Sequence, residues 1–326
     1  MVTGPIRPPS EAHSLLIRVT ENCPWNRCEF CSAFKQEKFR IRSAEDVKED
    51  ILTFRQVVDE ITAWAKQVNA PLGQVAVANE ISWIGDDGVT SAFLQDSDTL
   101  TMKTAPLVEI VAFLKQTFPT LDRICSYARG KTLWRKTPEE LRQLREAGLS
   151  RLHTGLETGD DELLGYINKG ATSQEMIEGG KKAMDAGFEV SMYVMPGLGG
   201  IEKSEQHARN TARVLNAVNP HFIRLRSFHV LPGTPMFEKA VRGEYHVLSI
   251  SGALAEVRSL IDQLDVKSQV VTSDYAWNYF MGDIDGKLPE DKQRLLKAFS
   301  DAIDFWQRRG EPARSPFFSG TRRAEN

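Results

Sequence analysis

Cys23-Pro24-Trp25-Asn26-Arg27-Cys28-Glu29-Phe30-Cys31, directly behind the apolar run Leu15-Leu16-Ile17-Arg18-Val19-Thr20, is the stretch on which the reading of this chain turns. The apolar run reads as a short buried strand, and the cysteine loop leaves its end. Three of the chain's four cysteines fall within these nine residues. Four cysteines are too few for a disulfide framework, and their clustering points to a metal site in a reducing cytoplasm. Thiolates are the usual ligands of iron–sulfur clusters, and closely spaced cysteines can each take a different iron. Three ligands on a four-iron cluster leave one iron open to a bound molecule. Zinc is the alternative, but a structural zinc wants four ligands, commonly as two pairs. No second Cys-x2-Cys or His-x3-His element accompanies the loop. A purely electron-transferring cluster is the other alternative.

Outward from the loop, strands and helices alternate. Ser43 caps a helix with Asp46 three residues on, running to about residue 65. Residues 69–88 are irregular and read as an insertion. Strands are expected at 92–95, 123–127, 151–157, 189–195 and 222–228. Helices are expected at 105–118, 138–147, 173–186 and 204–219, the second with Pro138 at its start and Gly148 at its end. Six strand–helix units argue for a parallel sheet, because parallel neighbours need crossover connections. Right-handed crossovers curl such a sheet into an α/β partial (β/α)6 barrel of the TIM type. The barrel is expected over residues 14–243. A helical C-terminal extension follows at 244–326, with one strand candidate at 269–272. In 326 residues, 41% apolar and 26% charged, the net charge of -3 offers no footprint for nucleic acid. No apolar run approaches a membrane span. The expectation is a cytoplasmic protein with neither nucleic acid nor membrane as partner.

The loop resembles that of the radical S-adenosylmethionine (SAM) superfamily, whose usual spacing is Cys-x3-Cys-x2-Cys with an aromatic before the third cysteine. Phe30 matches the aromatic; the first gap here is four residues long. The resemblance runs from about Leu15 to Phe237 and is closest to the oxygen-independent coproporphyrinogen oxidase-like branch. That branch's Tyr-x-His lead-in is absent, since Val19-Thr20-Glu21-Asn22 stands there, so its porphyrin substrate does not transfer. The resemblance implies Cys23, Cys28 and Cys31 as ligands of a [4Fe–4S] cluster, with SAM on the open iron. It implies that Asp96-Ser97-Asp98 replaces the family's Gly-Gly-Glu element, Asp98 holding the amino group of SAM. Gly155-Leu156-Glu157 is similar to a Gly-x-Glu element, with Glu157 at the ribose or methionyl end. Pro196-Gly197-Leu198-Gly199-Gly200 is similar to the turn that passes the adenine; a plain glycine-rich turn is the alternative. The chemistry so implied is reductive cleavage of SAM to a 5′-deoxyadenosyl radical that takes hydrogen from a small-molecule substrate. Electrons would come from a donor such as flavodoxin or ferredoxin. An electron carrier or redox sensor that does not cleave SAM is the alternative.

Strand faces supply further candidates. Arg151, His153 and Glu157 alternate with Leu152 and Leu156, and Arg224 and Arg226 with Ile223 and Leu225. The apolar sets should meet helices and the charged sets point inward, where unpaired charge is costly. They either pair with each other or meet an anionic ligand. Arg226 and His229 are the candidate catalytic residues, since catalytic groups collect at the ends of barrel strands. Cys125 reads as a buried, inert thiol.

Overall fold

The computed structural model describes residues 6–275, 277–278 and 284–311. Eight of its strands lie in one sheet: β1 (Leu15–Arg18), β2 (Ser91–Gln95), β3 (Arg123–Tyr127), β4 (Leu149–Glu157), β5 (Glu189–Val194), β6 (Phe222–Leu225), β7 (Gln269–Val271) and β8 (Gly286–Lys287). Their order in the sheet is their order in the chain. A separate short hairpin pairs Thr20–Glu21 with Arg40–Ile41 on either side of the cysteine loop.

The chain divides into two compact units. The first holds the residues up to Pro24, Gln36–Gly155 and Glu175–Met192; the second holds Trp25–Lys35, Leu156–Gln174 and the residues from Tyr193 on. In the first unit β1 to β4 pair parallel, with Leu15 opposite Ala92, Phe93 opposite Cys125, and Tyr127 opposite His153. Helices cover this sheet for legible reasons. Helix Ala44–Val68 begins where the Ser43 hydroxyl accepts the Asp46 N–H at 3.1 Å. It buries Val47, Ile51, Phe54, Val58, Ile61 and Ala65, one stripe at alternating spacings of four and three. Helix Pro138–Ala147 starts in a reciprocal cap between Thr137 and Glu140 and stops at Gly148, whose φ of 122° suits glycine. The irregular stretch at 69–88 contains one short helix, Leu72–Ala78.

In the second unit, Met195 N–H donates to the Glu157 carbonyl at 3.0 Å and Arg226 N–H to the Val194 carbonyl at 2.9 Å, beyond the ends of β4 and β5. The parallel sheet carries a seventh strand from the tail: β7 runs parallel to β6 with Phe222 opposite Gln269, and β8 returns antiparallel to β7. β7 lies on the strand candidate at 269–272, within a tail that reads from sequence as chiefly helical. Helices Ile250–Asp262 and Lys292–Arg309 supply that helical part. The second unit's core gathers Leu163, Ile167, Leu198, Phe228, Val230, Met236 and Tyr245, with Phe30 packed on its edge. No helix among the described residues is long and apolar enough to cross a membrane.

Candidate cofactor site

Beyond the end of β2 in the first unit, two carboxylates from one short motif meet different fates. Asp98 is fully buried, and both of its oxygens are used. Oδ1 accepts the Arg129 N–H at 3.1 Å, and Oδ2 accepts the hydroxyls of Thr132 at 2.6 Å and Thr101 at 2.9 Å. Burial pushes its carboxyl up, against these three donors. Asp96 is equally buried, but its Oδ2 alone takes the donors: Arg18 Nε at 3.0 Å, Arg18 Nη2 at 2.8 Å and Asn22 N–H at 2.8 Å. Its Oδ1 is buried without a partner. A buried acceptor of this kind is costly unless something fills it. Of the two aspartates, Asp96 therefore has the oxygen that a further donor could reach. Cys23, one residue past Asn22, is half-buried.

The second unit holds the rest of the loop, Trp25–Lys35. Cys28 and Cys31 are half-buried, and Cys31 N–H donates to the Cys28 carbonyl at 3.3 Å. Asn26 sits at φ 47°, a left-handed conformation that asparagine tolerates. Its side-chain amide donates to the Phe34 carbonyl. Lys35 Nζ donates to the carbonyls of Asn26 at 3.2 Å and Cys28 at 2.7 Å. The loop is also fastened to the turn around Gly170. Trp25 Nε1 donates to the Asn168 carbonyl at 2.8 Å, and Glu29 N–H to the Ile167 carbonyl at 2.8 Å.

Glu157, at the end of β4, forms a buried ion pair with Lys169 at 2.6 Å, and the Lys169 ammonium stands 5.9 Å from the Phe30 ring centroid. Sequence reading found Glu157 and Phe30 but not Lys169, which belongs to no periodic element. At the Pro196–Gly200 turn, Gly197 has φ 85°, its N–H donates to Glu256 Oε1 at 2.7 Å, and its carbonyl accepts the Tyr245 hydroxyl at 2.6 Å. Gly199 caps helix Gly200–Val218. The tail thus holds both polar groups of Gly197 with side chains that sequence reading left unassigned.

The candidate catalytic residues are engaged by the tail as well. Arg224 and Arg226 both pair with Asp274, Arg226 Nη1 at 2.5 Å from Oδ1. Arg226 lies between the rings of Tyr193 and Tyr275, 5.0 and 5.1 Å from their centroids. The two arginines hold the Asp274 carboxyl below its usual range, although burial works the other way. His229 Nε2 is 2.8 Å from the Trp277 carbonyl. Arg151 and His153 belong to a different group in the first unit, with a residue unnoticed in the sequence. Glu11, fully buried, lies 3.5 Å from Arg151, 3.4 Å from His153 and 3.2 Å from Arg123, and accepts the Ser14 hydroxyl at 2.7 Å. Glu11, Cys125 and His153 bring three potential metal ligands together. Two guanidiniums already neutralise this carboxylate, and burial drives the Cys125 thiol far up, so the group reads as an ion-pair network. The inert-thiol expectation for Cys125 agrees with that placement.

A family model of the radical SAM superfamily matches residues 17–212, more than half of the chain. The chain belongs to the radical SAM superfamily. It is an enzyme, and the family's cofactors are a [4Fe–4S] cluster and SAM. Among curated proteins it is 25% identical over 171 residues to the heme chaperone HemW of Bacillus subtilis, covering 52% of this chain and 44% of that one. It is 28% identical over 111 residues to the tRNA uridine(34) acetyltransferase of Methanocaldococcus jannaschii, covering 33% of this chain and 20% of that one. The chain thus matches less than half the length of either relative. Among solved structures, the coproporphyrinogen III oxidase HemN of Escherichia coli has 16% identity and a TM-score of 0.50, over 76% of this chain and 51% of that one. That likeness supports the α/β fold with its mostly parallel sheet.

The residues of this radical SAM chain suit both cofactors by their chemistry. Three thiols share one short loop, an unpartnered buried carboxylate oxygen stands on Asp96, and a buried lysine–glutamate pair flanks Phe30.

Proposed function

We propose that this enzyme cleaves SAM reductively and uses the resulting radical to take hydrogen from a small-molecule substrate. The observation that carries the reading is the three-cysteine loop within a chain that belongs to the radical SAM superfamily. Cys23, Cys28 and Cys31 would hold the [4Fe–4S] cluster. When bound, that group supplies one electron to the SAM sulfonium, giving methionine and a 5′-deoxyadenosyl radical. The protein's own residues bind, orient and exclude water. In this proposal the Asp96-Ser97-Asp98 element receives the amino group of SAM, with Asp96 Oδ1 as the available acceptor and Asp98 bracing the turn. Glu157 and Lys169 present a hydrogen-bonding pair to the ribose or methionyl end, and Phe30 packs on the adenine side. Gly197 and Gly199 let the backbone of their turn approach the adenine; no Cβ lies between. Arg226 and His229 are proposed to face the substrate. The electron donor would be a flavodoxin or ferredoxin, and the compartment the cytoplasm.

The test is anaerobic. Reconstituted protein should carry about four irons and four sulfides per chain, following from the cluster type. With dithionite and SAM it should form 5′-deoxyadenosine and methionine without any substrate. Cys23→Ala, Cys28→Ala and Cys31→Ala should each abolish both cluster and cleavage, while Cys125→Ala keeps them. Asp96→Asn should raise the SAM concentration needed for half-maximal cleavage, where a charge-assisted hydrogen bond contributes about 1.5–3 kcal/mol. A fully loaded, reduced cluster that yields no 5′-deoxyadenosine would turn the reading towards an electron carrier or redox sensor.

A further inference from the structure

The first gap of the cysteine loop is four residues, and the loop spends its additional residue in a particular way. Asn26 takes the left-handed conformation at φ 47°, which asparagine tolerates. That conformation is tied down twice from one short segment further along. The Asn26 side chain donates to the Phe34 carbonyl, and Lys35 Nζ reaches back to the carbonyls of Asn26 and Cys28 at 3.2 and 2.7 Å. Phe34, also left-handed at φ 62° and buried, brings Lys35 into position. Two carbonyls flanking the second cysteine thus share one ammonium. Among the described residues these carbonyls are the partners of Lys35, so no carboxylate offsets its charge. The loop's other charges are differently placed: Glu29 pairs with Lys239 at 2.5 Å, and Arg27 lies over the Trp25 ring at 5.2 Å.

We infer that Lys35 is a positioning residue for the iron–sulfur cluster: its ammonium fixes the four-residue gap between Cys23 and Cys28 and, as a fixed positive charge on the Cys28 peptide, raises the cluster's reduction potential. The inference rests on the cluster assignment made above. Its physical basis is general. Net charge and hydrogen bonding around a cluster set its potential, and the reduced form carries one more negative charge, which a nearby cation favours.

Three variants separate shape from charge: Lys35→Arg keeps both, Lys35→Gln keeps a donor without charge, and Lys35→Met removes both. Two quantities are read after anaerobic reconstitution of the full chain: iron and sulfide per chain, and the cluster midpoint by titration followed by electron paramagnetic resonance without SAM. Lys35→Arg should match the unaltered protein. Lys35→Gln should load its cluster at a midpoint lower by a tenfold change in the one-electron equilibrium, about 59 mV. Lys35→Met should load less iron, its circular dichroism being unchanged. A Lys35→Gln cluster with an unshifted midpoint overturns the inference, as does a Lys35→Met protein that loads fully. Loss of the cluster from either variant with its fold intact supports it. An unaltered protein that holds the cluster yet forms no 5′-deoxyadenosine overturns the proposed function and leaves this inference standing.

Discussion

Glu11 shows how a single side chain can be invisible in sequence and decisive in structure. It stands before β1 in a stretch with no pattern, and it meets Arg123, Arg151 and His153 at the start of β3 and within β4. The inward-facing charges of β4 could be read from their alternation, but their partner could not, because it is more than a hundred residues away. Burial alone would raise the Glu11 carboxyl; the close approach of His153, the Ser14 hydroxyl and the charge of Arg123 hold it instead at about 2. A depressed carboxyl contributes stability that is complete above its unfolded value of 4.5 and is lost as pH falls through 2. Glu11→Gln should therefore cost on the order of 3 kcal/mol at neutral pH. It should also flatten the loss of stability between about pH 4.5 and 2. Urea titrations of both proteins at a series of pH values check this, and parallel pH profiles would refute it. The two aspartates beyond β2 carry the same lesson in reverse. Asp96-Ser97-Asp98 was legible as a motif, but only three dimensions show that threonines and a backbone amide consume Asp98 while Asp96 keeps an oxygen in reserve.

At the scale of elements, two helix starts with side-chain caps were legible, as was helix Thr104–Thr117, which has none; a start on a glycine turn was not. Ser43 with Asp46, and Thr137 with Pro138 and Glu140, state their helix starts in sequence. Helix Gly200–Val218, capped by Gly199 without a side-chain bond, begins four residues before Ser204, the start that its sequence pattern suggests. The cysteine loop is an element whose shape depends on a neighbour: Gly170 at φ 70° faces the Trp25 ring, and a Cβ there would come within 2.4 Å of it. Gly170→Ala should consequently displace Trp25 and cost about 1–3 kcal/mol, the usual range for overpacking and for unsuitable backbone conformations. Iron content should fall with it, because the Trp25–Asn168 hydrogen bond is one of the ties on the loop. Denaturant unfolding together with metal analysis would decide. Full iron loading at unaltered stability would mean that the turn does not shape the loop.

The whole molecule depends on its tail more than composition suggests. Tyr245 lies in the core of the second unit, Glu256 and Tyr245 hold Gly197, Asp274 engages both arginines, and β7 continues the parallel sheet. A boundary after residue 243, drawn where strand–helix rhythm stops, was legible as a change in pattern. What it cannot convey is that side chains beyond it complete the turn and the core before it. A chain ending at residue 243 should fail to unfold cooperatively, since Phe228, Val230 and Met236 would lose their cover. Differential scanning calorimetry on that fragment tests this; a single sharp endotherm would show that the tail is an appendage.

Among the described residues one edge of the sheet is β8, two residues long, antiparallel to its neighbour, with an exposed Lys287 and with Pro289 two positions on. An open row of backbone donors and acceptors invites a stranger's strand to join, and the hazard grows with the length and flatness of the row. Here the row is too short to template a partner, a lysine would be stranded without water if one arrived, and the proline has no N–H to offer. The chain thus closes its parallel sheet with a segment that discourages fibre-like stacking at high concentration.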